Sequence, residues 1–315
     1  MIKNLFNLSL IKSHQTILVA LSGGPDSVCL LHQLKALQKE YNLTLLAAHL
    51  NHEWRGSKAD QDQEFCKSLC QELNIPFFSA RLSELKDLPA YNGSKENYAR
   101  HARRKFLEDL AHVHKANAIA LAHHQDDQLE TFFIRLIRGC SLAGLIGMKP
   151  QQDLYIRPLL HCSKQHILEY LEKNNITFTL DASNDSDEFL RNRLRKHVIP
   201  TLIKTDARAE KNILELMKHV EQAEAYLHEH TQYIITQIST LQGYDTKAFL
   251  AYPLYMQYRM IMQLLIQHKI PITLRQSFLD ECIRFLHNQK SISHKIHHSW
   301  ALVKARHSFN FKKIL

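Results

Sequence analysis

A short polar loop, residues 22–27, has the composition of a phosphate-binding turn; its residues are Ser22, Gly23, Gly24, Pro25, Asp26 and Ser27. It follows an apolar run and precedes a helical pattern. Adjacent glycines permit a tight turn and let backbone N–H groups approach an anion, and the helix N-terminus adds unpaired donors and a positive dipole. It is not a Walker A loop, because no Gly-Lys-Ser/Thr sequence follows. We therefore predict a phosphate cradle of a different kind.

Asp26 is an unexpected residue in a phosphate-binding loop. A carboxylate beside bound phosphates is repulsive unless a divalent cation bridges the two, and Mg²⁺ prefers oxygen ligands of both kinds. The structural alternative is a tight turn in which Asp26 or Ser27 caps the following helix.

A second polar segment, residues 122–131 (AHHQDDQLET), also follows an apolar run. Asp126, Asp127 and Glu130 fall at a predicted helix start, where carboxylates either offset the helix dipole or hold a cation. His123 and His124 could join these acids in a transition-metal site, but adjacent side chains at a strand end usually point apart.

Two basic clusters could hold nucleotide or RNA phosphates. Glu96, Arg100 and Arg103 lie three to four residues apart on a predicted helix, and Arg191 and Arg195 lie four apart with Asn192 between them. Arginines at this spacing can grip phosphates, but they can equally belong to a solvated, salt-bridged helix face. The sequence leaves both interpretations open.

Short apolar runs alternate with helical patterns over residues 1–205. The predicted strands cover residues 15–21, 43–50, 75–80, 118–122 and 155–157, and the predicted helices cover residues 26–38, 58–73, 94–114, 126–138 and 163–174. Strands separated by helices predict an α/β fold with a doubly wound, mostly parallel sheet. In one common strand order, strands 1 and 4 are neighbours, which brings residues 22–27 and 122–131 to one crevice.

The alternation ends near residue 205. Long helical patterns and a few short β-like pieces follow, so we predict two domains. Residues 1–205 form the α/β catalytic domain, and residues 206–315 form a smaller, mainly helical C-terminal domain.

The composition indicates a polyanionic partner. Forty Lys and Arg against 31 Asp and Glu give a net charge of +9, which is typical of proteins that bind RNA or DNA. The six cysteines show no CxxC pair and no spacing of a disulfide framework, and no secretory or membrane-spanning run is visible. We expect a reduced, cytoplasmic protein with no membrane attachment and no obligate protein partner.

These segments, in this order, resemble the tRNA(Ile)-lysidine synthetase family of the PP-loop, or N-type, ATP pyrophosphatase superfamily. Residues 22–27 match the superfamily loop SGGxDS. The narrower resemblance lies in HLNHEWRGSKADQD from His49, ENYARHARRKFL from Glu96, AHHQDDQLETFFIRLIRGCSLAGLIGM from Ala122, RPLL from Arg157 and DASNDSDEFLRNRLR from Asp181. Residues 206–315 are loosely similar to the family's first C-terminal domain. Longer members carry a further C-terminal domain, without which we expect weaker tRNA binding.

The resemblance implies a two-step reaction on an isoleucine tRNA with a CAU anticodon. ATP adenylates the C2 oxygen of the first anticodon cytidine and releases pyrophosphate; the ε-amine of free L-lysine then attacks C2, expels AMP and forms lysidine. Residues 206–315 are expected to contribute to tRNA binding.

The resemblance also assigns roles to residues. ATP binding is assigned to Ser22, Gly23, Gly24, Pro25, Asp26, Ser27, His49 and His123, and Mg²⁺ binding to Asp26 and Asp127. Contacts with the tRNA or other substrate are assigned to Glu96, Arg100, Arg103, Arg191, Asn192 and Arg195. Asp26, Asp127 and Glu130 are the predicted catalytic residues. Either Asp127 or Glu130 could take the proton of the lysine ammonium, whose ordinary pKa is about 10.4.

Two other functions fit parts of the sequence. A PP-loop tRNA thiolase or a related adenylating synthetase shares SGGxDS, but many such thiolases carry a CxxC pair, and glutamine-using synthetases normally carry an amidotransferase domain for which there is no room. A non-catalytic RNA-binding protein of the same fold would have no physical need for acids beside phosphates. Lysidine formation is therefore our main prediction.

Overall fold

The computed structural model of the protein describes residues 6–86, 88, 95–179, 189–271, 275–288 and 290–314. The chain divides into two compact units, Met1–Lys218 and His219–Leu315. The predicted division at residue 205 lies earlier in the chain, and the roles assigned to the two domains stay predictions. Within the described ranges, no helix is both long and apolar enough to cross a membrane.

The first unit is built on a mostly parallel sheet. Its strands are β1 (Thr16–Ala20), β2 (Thr44–Asn51), β3 (Phe77–Arg81), β4 (Ala118–Ala120), β5 (Gln151–Gln152) and β6 (Tyr155–Ile156). They lie in the order β3-β2-β1-β4-β6-β5, and only the β5–β6 pair among them is antiparallel. The predicted fold class is confirmed. The antiparallel strand β5 was not predicted, because the tight turn to β6 contains Asp153 at a φ of +52° rather than a glycine.

The first unit also contains helices. They are α1 (Pro25–Leu37), α2 (Ser57–Glu72), α3 (Lys95–Val113), α4 (Gln125–Arg138), α5 (Leu142–Leu145), α6 (Lys164–Lys173), α7 (Leu190–Arg193) and α8 (Ile199–Thr205), with a π-helical turn at Leu194–Val198. Helices α1 to α5 lie between the strands of the sheet, and α6 to α8 follow the last of them. The long helix α9 (Ala209–Ile238) begins in the first unit.

Both faces of the sheet are buried, as expected for a sheet with crossover helices. Ile17 and Val19 of β1 lie in one apolar cluster, and Leu18 between them lies in another, because successive side chains of a strand point to opposite faces. The first cluster contains apolar residues of α1, α2 and α6, and the second contains those of α3. This packing fixes the carboxyl ends of the strands, where the polar loops lie.

The second unit combines helices with a separate antiparallel sheet. The strands are β7 (Ser239–Thr240), β8 (Gly243–Asp245), β9 (Ser293–His297), β10 (Trp300–Lys304) and β11 (Ser308–Lys313), in the order β7-β8-β11-β10-β9. The helices are α10 (Thr246–Leu250), α11 (Leu254–Gln267) and α12 (Gln276–His287). Phe249, Leu264 and Phe309 belong to its fully buried core.

Candidate active site

The two polar segments meet because β1 and β4 are adjacent parallel strands. Leu18 pairs with Ile119 and Val19 pairs with Ala120, so the two strands end at the same edge of the sheet. The SGGPDS loop, residues 22–27, follows β1, and the segment AHHQDD, residues 122–127, follows β4. The strand order is therefore the common one in which strands 1 and 4 are neighbours.

The SGGPDS loop forms a compact turn held by its own polar groups. Ser22 donates its backbone N–H to Ser27 Oγ at 3.1 Å, and Ser27 Oγ donates to the Gly24 carbonyl at 2.9 Å. Gly23 has a φ of +87°, a conformation that favours glycine. Gly24 then caps α1, and Pro25 occupies the first turn, where its missing N–H costs nothing.

Neighbouring elements support this loop. The Gly23 carbonyl accepts a hydrogen bond from the Thr179 N–H at 2.9 Å. His49, at the end of β2, is buried; its Nδ1 lies 2.9 Å from the carbonyl oxygen of Leu21 and 3.6 Å from Cys66 Sγ. In this structure His49 therefore supports the end of β1, and its predicted contact with ATP stays a prediction.

Three carboxylates surround His124 at the start of α4. His124 Nε2 lies 3.6 Å from Asp26 Oδ2 and 3.6 Å from Asp127 Oδ2, and its Nδ1 lies 3.5 Å from Asp126 Oδ1. The His124 backbone N–H also donates to Asp127 Oδ2 at 2.9 Å, which closes the N-terminal cap of α4. His124 thus joins the predicted catalytic residues Asp26 and Asp127.

The charges in this cluster are mutually stabilising. Burial disfavours the charged imidazole, but the contacts with Asp126 and Asp26 and the charge of Asp127 outweigh it and raise the pKa of His124 to about 10. Burial also disfavours ionised Asp26, yet His124 and Lys164 hold the pKa of its carboxyl below the ordinary value. At neutral pH, an imidazolium therefore lies beside the ionised carboxylates of Asp26 and Asp126, whose pKa values are both lowered.

Lys164 is a member of the site that the sequence patterns did not single out. Its Nζ lies 2.5 Å from Asp26 Oδ1, and its backbone N–H donates to Asp126 Oδ1 at 3.0 Å. Lys164 begins α6, which follows β6, and β6 is the parallel neighbour of β4. The signal that could have found it is the position of this helix start after a third neighbouring strand.

Glu130 is placed one helical turn beyond Asp127 and is 1% exposed. Its Oε1 accepts a hydrogen bond from Arg195 Nε at 2.6 Å, and its Oε2 lies 3.1 Å from Arg191 Nε. Arg195 Nη2 also lies 3.8 Å from Asp127 Oδ1. The two arginines that were predicted to grip phosphates therefore contact protein carboxylates here, and their contact with the substrate stays a prediction.

Two adjacent histidines turn to different partners. His123 Nδ1 accepts a hydrogen bond from Arg157 Nε at 3.3 Å, whereas His124 contacts the acids. Burial, with help from Arg157 and Arg191, lowers the pKa of His123, so its imidazole is neutral at pH 7. In the described part of the chain, no group of three or more His, Cys, Asp or Glu side chains is arranged to hold a metal ion.

The other predicted substrate contacts lie on α3 and α7. Arg100 and Arg103 are exposed on α3, and Asn192 is buried on α7. The side chain of Glu96 and residues 181–184 of the DASN segment lie outside the described residues, so their predicted roles are not addressed. Further along α3, Arg104 and Lys105 pair with Glu108 and Asp109 on the helix surface.

The carboxylate oxygens at the loop are of the chemical type that binds a magnesium ion. Asp26 Oδ2 and Asp127 Oδ2 approach the same nitrogen of His124, so both face one point of the crevice. Mg²⁺ is commonly held by one or two carboxylates together with water and substrate phosphates. These two residues would supply the protein's share of its ligands, with His124 and Lys164 as the cations that balance them here.

The sequence is similar to curated tRNA(Ile)-lysidine synthases. It is 40% identical to that of Clostridium acetobutylicum over 197 residues, which are 62% of this chain and 43% of the relative. It is 33% identical to that of Bacillus cereus over 287 residues, which are 87% of this chain and 60% of the relative. The chain therefore matches only about half of the length of these relatives.

The fold is similar to that of a solved enzyme. The U34-tRNA thiolase NcsA from Methanococcus maripaludis, solved with its [4Fe-4S] cluster, matches with a TM-score of 0.57 and 19% identity. The match covers 70% of this chain and 76% of the thiolase. At this identity the likeness shows a shared fold.

A model of the PP-loop domain family matches residues 1–202, which contain the SGGPDS loop, the His124 cluster and the Glu130 ion pairs. This is well over half of the chain, and the predicted resemblance to the PP-loop superfamily is confirmed. The protein is a member of the PP-loop domain family.

Proposed function

We propose that this protein uses ATP to ligate free L-lysine to C2 of the first anticodon cytidine of a tRNA(Ile) with a CAU anticodon, forming lysidine. The main observation behind the proposal is that Asp26 and Asp127 both contact His124 beside a loop of the phosphate-binding type. The sequence similarity to tRNA(Ile)-lysidine synthases supports the choice of substrates.

In the first step, the cytidine C2 oxygen attacks the α-phosphorus of ATP and pyrophosphate leaves. The SGGPDS loop would bind the leaving pyrophosphate, because its turn and the start of α1 present backbone N–H groups. Magnesium bound by Asp26 and Asp127 would neutralise the charge that develops on the phosphates. An anticodon loop is single-stranded, so its base is unstacked at low cost.

In the second step, the lysine ε-amine attacks C2, the C2–O bond breaks and AMP leaves with that oxygen. The amine must first lose a proton to a carboxylate. Asp127 is the better placed of the two predicted bases, because its side chain is 13% exposed whereas Glu130 is 1% exposed with an arginine at each oxygen. We assign proton removal to Asp127 and a positioning role to Glu130, which holds Arg191 and Arg195.

The exposed arginines of α3 would bind the RNA. The ion pairs among the described side chains include Arg104 and Lys105 but neither Arg100 nor Arg103. The charge of Arg103 also contributes to the lowered pKa of His52 and His123. Burial lowers the pKa of Arg103, so its guanidinium is less exposed than the rest of the residue. Guanidinium groups at this position are suited to contact phosphates of the anticodon stem-loop.

The thiolase alternative is less well supported by the cysteines. Sulfur transfer needs a reactive cysteine thiolate or a bound iron–sulfur cluster. Five of the six cysteines are buried, and burial raises the pKa of Cys29 and Cys70 to about 12 and that of Cys162 to about 11. Such thiols stay protonated at neutral pH. Cys140 is exposed but is distant in sequence from the other five.

The test is a product assay with the purified full chain. Labelled lysine, ATP, magnesium and a CAU-anticodon transcript should give lysine-labelled RNA with equal amounts of AMP and pyrophosphate. Omitting lysine should stop label transfer and AMP release, while pyrophosphate still forms from the adenylated cytidine. The matched substrate control is the same transcript with its first anticodon cytidine replaced by uridine, which should remain unlabelled. A parallel reaction with sulfide in place of lysine tests the alternative: a thiolated transcript there, with no lysine transfer in the first reaction, would establish the thiolase instead.

A further inference from the structure

Lys164 reaches the phosphate-type loop from a separate part of the chain. Its position is fixed twice, because Ser163 Oγ caps α6 by accepting the His166 N–H and the Lys164 N–H donates to Asp126 Oδ1. The side chain then extends to Asp26, where Nζ lies 2.5 Å from Oδ1. Asp26 is the second residue of α1, and only Pro25 separates it from the loop glycines. A lysine ammonium therefore lies beside the SGGPDS loop.

This ammonium is accessible to a ligand. The Lys164 side chain is 33% exposed and that of Asp26 is 28% exposed, so the pair lies at the open side of the cluster. His124, in contrast, is 6% exposed and is enclosed by three carboxylates. Among the described residues, His124 and Lys164 are the cations that contact Asp26, and only the Lys164 side chain is open enough to turn toward an anion from solvent.

The chemistry of the loop calls for such a cation. Walker A loops carry a lysine that reaches the β- and γ-phosphates, and the SGGPDS loop has no lysine of its own. Backbone N–H groups and a helix dipole carry only partial charges. Lysine is a compact point charge on a flexible stem, which lets it exchange one anionic partner for another.

We propose that Lys164 is a pyrophosphate-binding residue: its ammonium pairs with Asp26 when the loop is free and binds the β- and γ-phosphates when ATP is present. The cation that the loop sequence lacks is then supplied by the first residue of α6. The assignment rests on the proposed function for its role in turnover, since pyrophosphate is the leaving group of the first step.

A purely structural role is the competing explanation. α1 and α6 are packed neighbours, and the Lys164–Asp26 pair could do no more than join them. The two explanations differ in what happens when Asp26 is replaced. If Lys164 only joins the helices, Asp26→Asn already breaks the pair, and a further Lys164→Gln change has no additional effect. If Lys164 binds phosphate, Lys164→Gln weakens binding in both backgrounds.

The test is calorimetric binding of inorganic pyrophosphate to the full chain in metal-free buffer. We expect Lys164→Gln to weaken pyrophosphate binding about tenfold or more, as for loss of one charge-assisted hydrogen bond. Asp26→Asn should strengthen it, because a repelling carboxylate is removed and Lys164 is released. Lys164→Gln in the Asp26→Asn background should again weaken it about tenfold. The matched control is Lys173→Gln, at the exposed end of the same helix, which should bind as the wild type does.

Equal pyrophosphate affinity of Lys164→Gln and wild type would overturn the assignment, as would no effect of Lys164→Gln in the Asp26→Asn background. Lys164→Arg keeps the charge and should retain most of the affinity, which guards against misfolding of the glutamine variant. Failure of the proposed function gives a different result. In that case wild type fails to transfer lysine to the transcript, while the dependence of pyrophosphate binding on Lys164 remains.

Discussion

Glu130 Oε1 accepts a hydrogen bond from Arg195 Nε at 2.6 Å, although the two residues lie 65 positions apart in the sequence. Burial raises the pKa of the Glu130 carboxyl, and Arg195 acts in the opposite direction. Arg191 contacts the second oxygen. The ion pairs join α4 to α7 and to the π-helical turn, and they bring two arginines close to the His124 cluster.

Replacing Arg195 by alanine should lower the free energy of unfolding by about 1–3 kcal/mol, because a buried carboxylate loses its hydrogen-bonded cation. The loss is limited because Arg195 is 41% exposed and Arg191 remains. Urea unfolding followed by circular dichroism measures it. Arg138→Ala, at the exposed end of α4, is the control and should be near wild type. Equal stability of Arg195→Ala and wild type would show that the ion pair is dispensable.

The two loop glycines should respond differently to alanine. At Gly23 the φ is +87°, and a Cβ would lie 2.9 Å from Thr179 Oγ1 and 3.3 Å from Cys66 Sγ. Gly23→Ala should therefore cost about 1–3 kcal/mol of folding free energy. At Gly24 the φ is −71° and the nearest atom would be 3.7 Å away, so Gly24→Ala should stay within about 1 kcal/mol of wild type. The same unfolding measurement compares them, and equal losses would contradict this geometry.

His124 should make folding stability depend on pH. Its pKa is about 10 in the folded protein and about 6.5 when unfolded, so its contribution is complete below pH about 6.5 and disappears as pH rises through 10. The stability difference between wild type and His124→Asn should therefore shrink from pH 6 to pH 10. Urea unfolding at several pH values measures it, with the exposed His112→Asn as control. A difference that is constant over this range would mean that His124 is not charged in the folded state.

Sequence patterns predicted the fold and the meeting of two segments, because both depend on the order of strands. Buried runs such as residues 15–21 and 118–122 show two strands of a parallel sheet, and loops at the carboxyl ends of adjacent strands share a crevice. Asp26 and Asp127 could therefore be brought together from local patterns. The contact between Asp127 and His124 then follows from the N-terminal cap of α4.

The pairing of side chains from distant helices could not be predicted in this way. Lys164 and Arg195 are ordinary basic residues of helical segments, and their partners Asp26 and Glu130 lie far away in sequence. The spacing of Arg191 and Arg195 is equally suited to binding a phosphate and to pairing with a protein carboxylate. The choice depends on how α6 and α7 pack beside α1 and α4, which is a property of the tertiary structure.

The most direct test is the mass of the first anticodon nucleoside after reaction of a CAU transcript with wild type and with Asp26→Asn, in the presence of ATP, magnesium and lysine. For wild type we expect cytidine that has gained one lysine and lost one water. For Asp26→Asn, whose fold is checked by circular dichroism, we expect unmodified cytidine, while Asp109→Asn on the surface of α3 should act as wild type does. Unmodified cytidine with folded wild-type protein, or full modification by Asp26→Asn, would contradict the assigned chemistry.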